Sequence, residues 1–161
     1  MKTLTRTSFH SRALSVAGAL AVVLTLMAPS PAAAGPIGWQ VDGGWYTDPD
    51  DFFVGAGARI GAASITVIPN AEYIMVESGK AYSLNVDGTM SVLPMGVATG
   101  YVGGGIGWVT FDPDNGDSNT DSVINVIAGA SFNVAIKPFA QLKYLIQDGD
   151  DRIGFAFGLR F

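Results

Sequence analysis

Beyond its first 34 residues this chain is predicted to be all-β, an eight-stranded antiparallel up-and-down transmembrane β-barrel, on three observations. The segment Arg152 to Phe161 alternates large apolar residues with small or cationic ones. The same period of two recurs in eight segments with no convincing amphipathic helix between them. The acids in the links gather on alternate links. Successive side chains on a strand point to opposite faces. Ile153, Phe155, Phe157, Leu159 and Phe161 therefore share one surface, and Arg152, Gly154, Ala156, Gly158 and Arg160 share the other. A polar face rich in glycine fits a cramped interior better than a solvated exterior, which points to lipid outside and polar residues inside.

The amino-terminal residues read as a cleaved secretory signal over 1–34. Lys2, Arg6 and Arg12 make a basic start, Ala13 to Met27 is apolar, and Ala32 to Ala34 offers a small-residue cleavage site. That apolar run is shorter than the roughly 20 residues of a helical span, and no later run is long enough either, so insertion would have to be by strands. Residues 35–161 then form one acidic domain. Arg59, Lys80, Lys137, Lys143, Arg152 and Arg160 face all fourteen of the chain's acids. Such a balance argues against a nucleic-acid partner. With no cysteine in the chain, stability would rest on a closed hydrogen-bonded sheet or a supporting membrane.

The eight strands are expected at 38–46, 52–62, 65–76, 81–93, 98–110, 122–133, 136–147 and 152–161. Most are near the roughly 9 to 11 residues a tilted strand needs to cross a bilayer. The first sets Trp39, Val41 and Trp45 against Gln40, Asp42 and Gly44, and the second sets Phe52, Val54, Ala56, Ala58 and Ile60 against Gly55, Gly57, Arg59 and Gly61. In the third, Val67, Ala71, Tyr73 and Met75 oppose Asn70 and Glu72; in the fourth, Tyr82, Leu84, Val86, Met90 and Val92 oppose Ser83, Asn85, Asp87, Thr89 and Ser91. The fifth carries Val102, Ile106 and Trp108 outward and Tyr101, Gly103, Gly105 and Gly107 inward. The sixth separates Ile124, Val126, Ala128, Ala130 and Phe132 from Asn125, Gly129, Ser131 and Asn133. The seventh separates Ala140, Leu142, Tyr144 and Ile146 from Lys137, Gln141, Lys143 and Gln147, with Phe139 and Leu145 as exceptions on the polar side.

Alternate links hold the acids: Asp48, Asp50 and Asp51; Glu77; Asp112, Asp114, Asp117 and Asp121; Asp148, Asp150 and Asp151. The three links between them hold none, and the remaining acids, Asp42, Glu72 and Asp87, fall on the inner face. Because extracellular loops of such barrels are longer than periplasmic turns, the acidic rim is assigned to the outside. Inside, Asp42, Arg59, Glu72, Asp87, Lys143 and Arg160 are expected to form a polar network padded by Asn70, Asn85, Asn125 and Gln141, since unpaired buried charge is costly. A structural plug of salt bridges is the leading reading of that network. A narrow water or ion path, suggested by the inward glycines, and a small-ligand cavity are the alternatives. Trp39, Trp45, Phe52, Tyr73, Tyr82, Trp108, Tyr144 and Phe161 are candidates for two interfacial girdles.

The eight strands, the lipid-facing alternation and the terminal Phe161 resemble the small bacterial outer-membrane barrels of the opacity-protein and OmpA-like transmembrane group. The resemblance lies in YVGGGIGW (Tyr101 to Trp108), KPFAQLKY (Lys137 to Tyr144) and GFAFGLRF (Gly154 to Phe161). It implies residence in the cell outer membrane among its lipids and lipopolysaccharide; a closed barrel, with no free strand edge demanding a partner, is expected to be a monomer. The resemblance also implies recognition of Phe161 as an assembly signal by the barrel-assembly machinery. The segment from Phe111 to Asp121 is rich in oxygen ligands, and Asp112, Asp114, Asp117 and Asp121 are weak candidates for a divalent cation. Counted from Asp112, however, Gly116 takes the fifth position and Asp117 the sixth, one out of register for a calcium loop. The sole histidine, His10, leaves with the signal, so no histidine-based triad or thiol nucleophile is available and no cofactor is implied. The functional expectation is a non-catalytic barrel with a structural or surface-contact role through its acidic loops. A narrow porin-like channel or a secreted soluble ligand-binding barrel are the alternatives.

Overall fold

The computed structural model describes residues 37–47, 50–62, 64–147 and 151–161. The signal segment and the acids Asp48, Asp148 and Asp150 lie outside the described residues. Eight strands run in chain order: β1 (Ile37–Thr47), β2 (Asp50–Ala62), β3 (Ile65–Met75), β4 (Lys80–Met95), β5 (Ala98–Asp112), β6 (Asn119–Phe132), β7 (Lys137–Gln147) and β8 (Arg152–Arg160). Each pairs antiparallel with the next, and β8 pairs with β1 to close the barrel. Trp39 and Phe161 exchange backbone hydrogen bonds across that seam, at 2.9 and 3.2 Å.

Register fixes the shape. The paired residues Ile37, Ile60, Val67, Gly88, Gly104, Val126, Tyr144 and Ile153 trace one circuit. The path returns to β1 beside Thr47, one step past the Tyr46–Gly154 pair and ten positions from its start at Ile37. Eight strands with this stagger tilt by about 40°, and their interior is just wide enough for side chains to fill.

The alternation holds around the circuit. Trp39, Phe52, Tyr73, Tyr82, Trp108, Ile124, Phe132, Leu142 and Phe157 are exposed on the outside, while Glu72, Ser83, Asn85, Asp87, Asn125, Gln141, Lys143 and Arg160 are buried inside. This inverts the usual order of a soluble protein. Val41 shares the outward phase but is nearly covered, with Leu159 opposite it in register.

Strand ends depart most from expectation at the β5–β6 hairpin, whose ladder continues through Phe111↔Asn119 and takes Phe111, Asp112, Thr120 and Asp121 into strands. The Thr110 and Thr120 hydroxyls meet at 2.9 Å there. At the opposite rim β4 runs on to Met95 through an irregularity at Ser91 to Leu93. A two-residue turn follows, and Gly96 at φ 65° supplies the positive φ that such hairpin turns require.

Candidate functional site: a stratified lumen

The interior is filled in three layers. Nearest the acidic rim, Tyr46, Phe53, Ile74, Ala81, Leu145 and Ala156 form a buried apolar cluster, with Val76 and Val109 against it. The Tyr46 and Phe53 rings lie 4.8 Å apart between centroids. Leu145, an exception to the phase in the sequence, sits in this layer as an inward residue in its own right. Most of these residues are missed by reading strands singly, because the polar residues below them dominate the inner phase.

A polar layer lies beneath. Glu72 accepts from Lys143 Nζ through one carboxylate oxygen, forming a buried ion pair, and from the Tyr46 hydroxyl at 2.6 Å through the other. Asp87 is held differently: Asn70 Nδ2 and Asn125 Nδ2 each donate to it at 2.8 Å. Asn85 donates to Asn70 Oδ1 at 3.1 Å and to Ser83 Oγ at 2.6 Å, and Asn125 donates to Asn85 Oδ1 at 3.1 Å, so β3, β4 and β6 share one amide chain. Asp42 accepts from Gln40 Nε2 at 3.3 Å.

At the rim opposite the acids, the Arg160 guanidinium lies between two rings, 4.4 Å from the centroid of Tyr101 and 4.3 Å from that of Phe139. The Tyr101 hydroxyl donates to Gln141 Oε1 at 3.1 Å. Phe139, the other exception to the phase, is therefore the platform for a buried cation, an arrangement that stabilises a desolvated guanidinium.

The expected network of paired charges is realised once. Among the described residues the sole ion pair is Lys143–Glu72. Arg59 lies opposite Gly38, and Arg160 lies opposite Gln40 and Lys137, so register gives neither a carboxylate partner. The inward glycines do not leave an open bore either. Each inward aromatic faces a glycine in register: Tyr46 and Gly154, Phe53 and Gly44, Tyr101 and Gly129, Phe139 and Gly158. A Cβ at Gly154 would lie 2.7 Å from Tyr46 Cε1, and one at Gly158 would lie 2.6 Å from Phe139 Cε1. At these four glycines the room is occupied by rings, and at Gly55, Gly105 and Gly107 it is taken by Asp42, Asp87 and Asn85.

The four weak cation candidates are exposed and do not converge; Asp112 and Asp121 stand on strands, and Asp121 accepts from Asn119 Nδ2 at 2.9 Å. Among the described residues no cluster of three or more His, Cys, Asp or Glu side chains could hold a metal. On the outside, Trp45 stacks on Phe155 and Phe157 with centroids at 5.3 and 6.0 Å. Trp45, Phe52, Tyr73, Tyr82, Trp108 and Tyr144 belong to the half of the wall toward the acidic rim, and Trp39, Phe132 and Phe161 to the other end. A groove of about 360 Å³ opens on the outer face along Ile106, Trp108, Ser122, Ile124 and Ile146.

No protein-family model matches this sequence, and no curated protein does. Solved structures do. The N-terminal β-barrel domain of Pseudomonas aeruginosa OprF is similar at a TM-score of 0.64 and 14% identity, over 78% of this chain and 96% of that domain. Neisserial surface protein A is similar at 0.66 and 14%, over 80% of this chain and 98% of that one. The de novo designed TMB2.3 is similar at 0.52 and 18%, over 82% of this chain and 97% of the design. At such identities the likeness concerns architecture, and the chain has the fold of the small eight-stranded outer-membrane β-barrels.

Proposed function

We propose that the protein is an integral barrel of the bacterial outer membrane, exported by its amino-terminal signal and acting without catalysis, as a structural or surface-contact element through its acidic rim. The observation that carries this reading is the inversion of the wall. Large apolar side chains cover the outside continuously, a belt far beyond the apolar patch a soluble monomer tolerates, while the charged and amide side chains are buried within. The apolar layer and the Glu72–Lys143 pair favour a sealed interior over a conducting one. Asp50, Asp51, Glu77, Asp112, Asp114, Asp117, Asp121 and Asp151 give the presented rim a negative field suited to cationic partners or cation-bridged lipopolysaccharide. Phe161, paired into the closing seam, is the residue offered to the assembly machinery.

The test is gel mobility of the chain from isolated outer membranes, with and without boiling in detergent. A compact fast band that slows on boiling is expected; a soluble protein with no shift would overturn the membrane reading.

A further inference from the structure

The two arginines of the lower layer have cationic edges without partners. Arg160 is 4% exposed, yet its Nε and Nη2 have no hydrogen-bond acceptor, and Arg59 Nε is likewise buried and unsatisfied; Arg152 Nε at the opposite rim also lacks an acceptor, but there the Asp51 carboxylate stands near its charge. A buried charged donor without an acceptor is costly, and guanidinium edges are shaped to grip two oxygens of one oxyanion. Both faces of Arg160 are taken by Tyr101 and Phe139, so only its edge is free. On β1, between the strands that carry the two arginines, stands Gly38, in register with Arg59 and without a side chain of its own. Lys137, opposite Arg160 in register, adds a third cation, and the links at this rim carry no acid.

We propose that this end of the lumen is a binding site for a small oxyanion of the phosphate class, held by the edges of Arg59 and Arg160 with Lys137 at its mouth. The anion supplies the acceptors that the fold withholds. Free phosphate and the phosphate of a lipid headgroup satisfy the same chemistry.

The test is arginine side-chain NMR of the folded barrel without its signal segment, in detergent micelles. That species carries Arg59, Arg152 and Arg160, and Arg152 lies at the opposite rim as an internal control. Titration with inorganic phosphate at constant ionic strength is expected to shift the Nε–H resonances of Arg59 and Arg160 along one saturating curve while Arg152 stays still. Arg59→Gln, at a half-buried position the fold can spare, should weaken that curve at least tenfold, the loss expected for a hydrogen bond to a charged group. Shifts that appear only in phosphatidylglycerol bicelles free of inorganic phosphate would assign the phosphate to a lipid headgroup. No shift from either source, or equal linear drift of all three arginines, would overturn the site. The readout does not depend on where the protein resides in the cell.

Discussion

The pairing of inward rings with glycines makes Gly154→Ala a sharp probe of the lumen. A Cβ at this position would lie 2.7 Å from Tyr46 Cε1 and 3.0 Å from Cδ1, while the nearest backbone atom, the Lys143 carbonyl oxygen, is 3.7 Å away, an ordinary contact. The obstacle is thus a single ring, and that ring cannot retreat, because Tyr46 is 1% exposed and its hydroxyl is tied to Glu72. Overpacking of this kind costs about 1 to 3 kcal/mol. In a Tyr46→Ala background the clash is gone. There the same change should be neutral or slightly stabilising, since glycine inside a strand costs about 0.5 to 1 kcal/mol relative to alanine. The cycle is measured by reversible urea unfolding in lipid vesicles, followed by tryptophan fluorescence, with Tyr46→Leu as a milder background. A coupling of about 1.5 to 4 kcal/mol between the positions is expected. Equal cost of Gly154→Ala in all backgrounds would refute the idea that the ring occupies the vacancy.

Lys143→Met should destabilise the barrel by about 3 to 5 kcal/mol by stranding the Glu72 charge, while Glu72→Gln with Lys143→Met should cost far less because the stranded charge is removed with its partner; the same unfolding assay measures both. Asp87→Asn sets an amide donor against those of Asn70 and Asn125 and should cost about 1 to 3 kcal/mol, again by unfolding midpoint. In planar bilayers the native protein should be electrically silent, and Ile74→Ser with Leu145→Ser should admit current by wetting the apolar layer; a native conductance equal to that of the double variant would show that ions bypass this layer.

The face of a residue was legible from the sequence, because a period of two survives any error of strand end. Trp39, Phe52, Tyr82 and Phe132 lie outside and Asp42, Glu72, Asp87 and Lys143 inside, as their phases require. What a residue touches was less legible, because contact depends on the offset between strands. Phe139 and Leu145 break the polarity of their strand only when β7 is viewed alone; beside Gly158 and the apolar cluster they are in place. The charges show the same limit. The inner face carries three carboxylates and three cations, yet register delivers one ion pair, two amide clasps on Asp87 and a guanidinium held by rings. The β5–β6 hairpin outran expectation because Asp and Asn disfavour strands only weakly, and a neighbour already in the ladder satisfies their backbone groups.

These contacts share a geometric origin. Two large inward side chains can be partners in register, as Phe53 and Ile74 are, but an eight-stranded barrel with this stagger has too little width for an inward ring to be crowded from both neighbouring strands. A ring can enter only where the adjacent strand yields a vacancy, and glycine is the one residue that yields it fully. Tyr46, Phe53, Tyr101 and Phe139 each have such a partner, so Gly154, Gly44, Gly129 and Gly158 form one half of a set of ring seats. A change on either side of a seat opens a cavity or forces a clash unless its partner changes too. Ring and vacancy together seal the upper layer and orient the lower rings that hold Arg160. The feature that first suggests an open pore, glycine on the polar face, is therefore what allows the lumen to close.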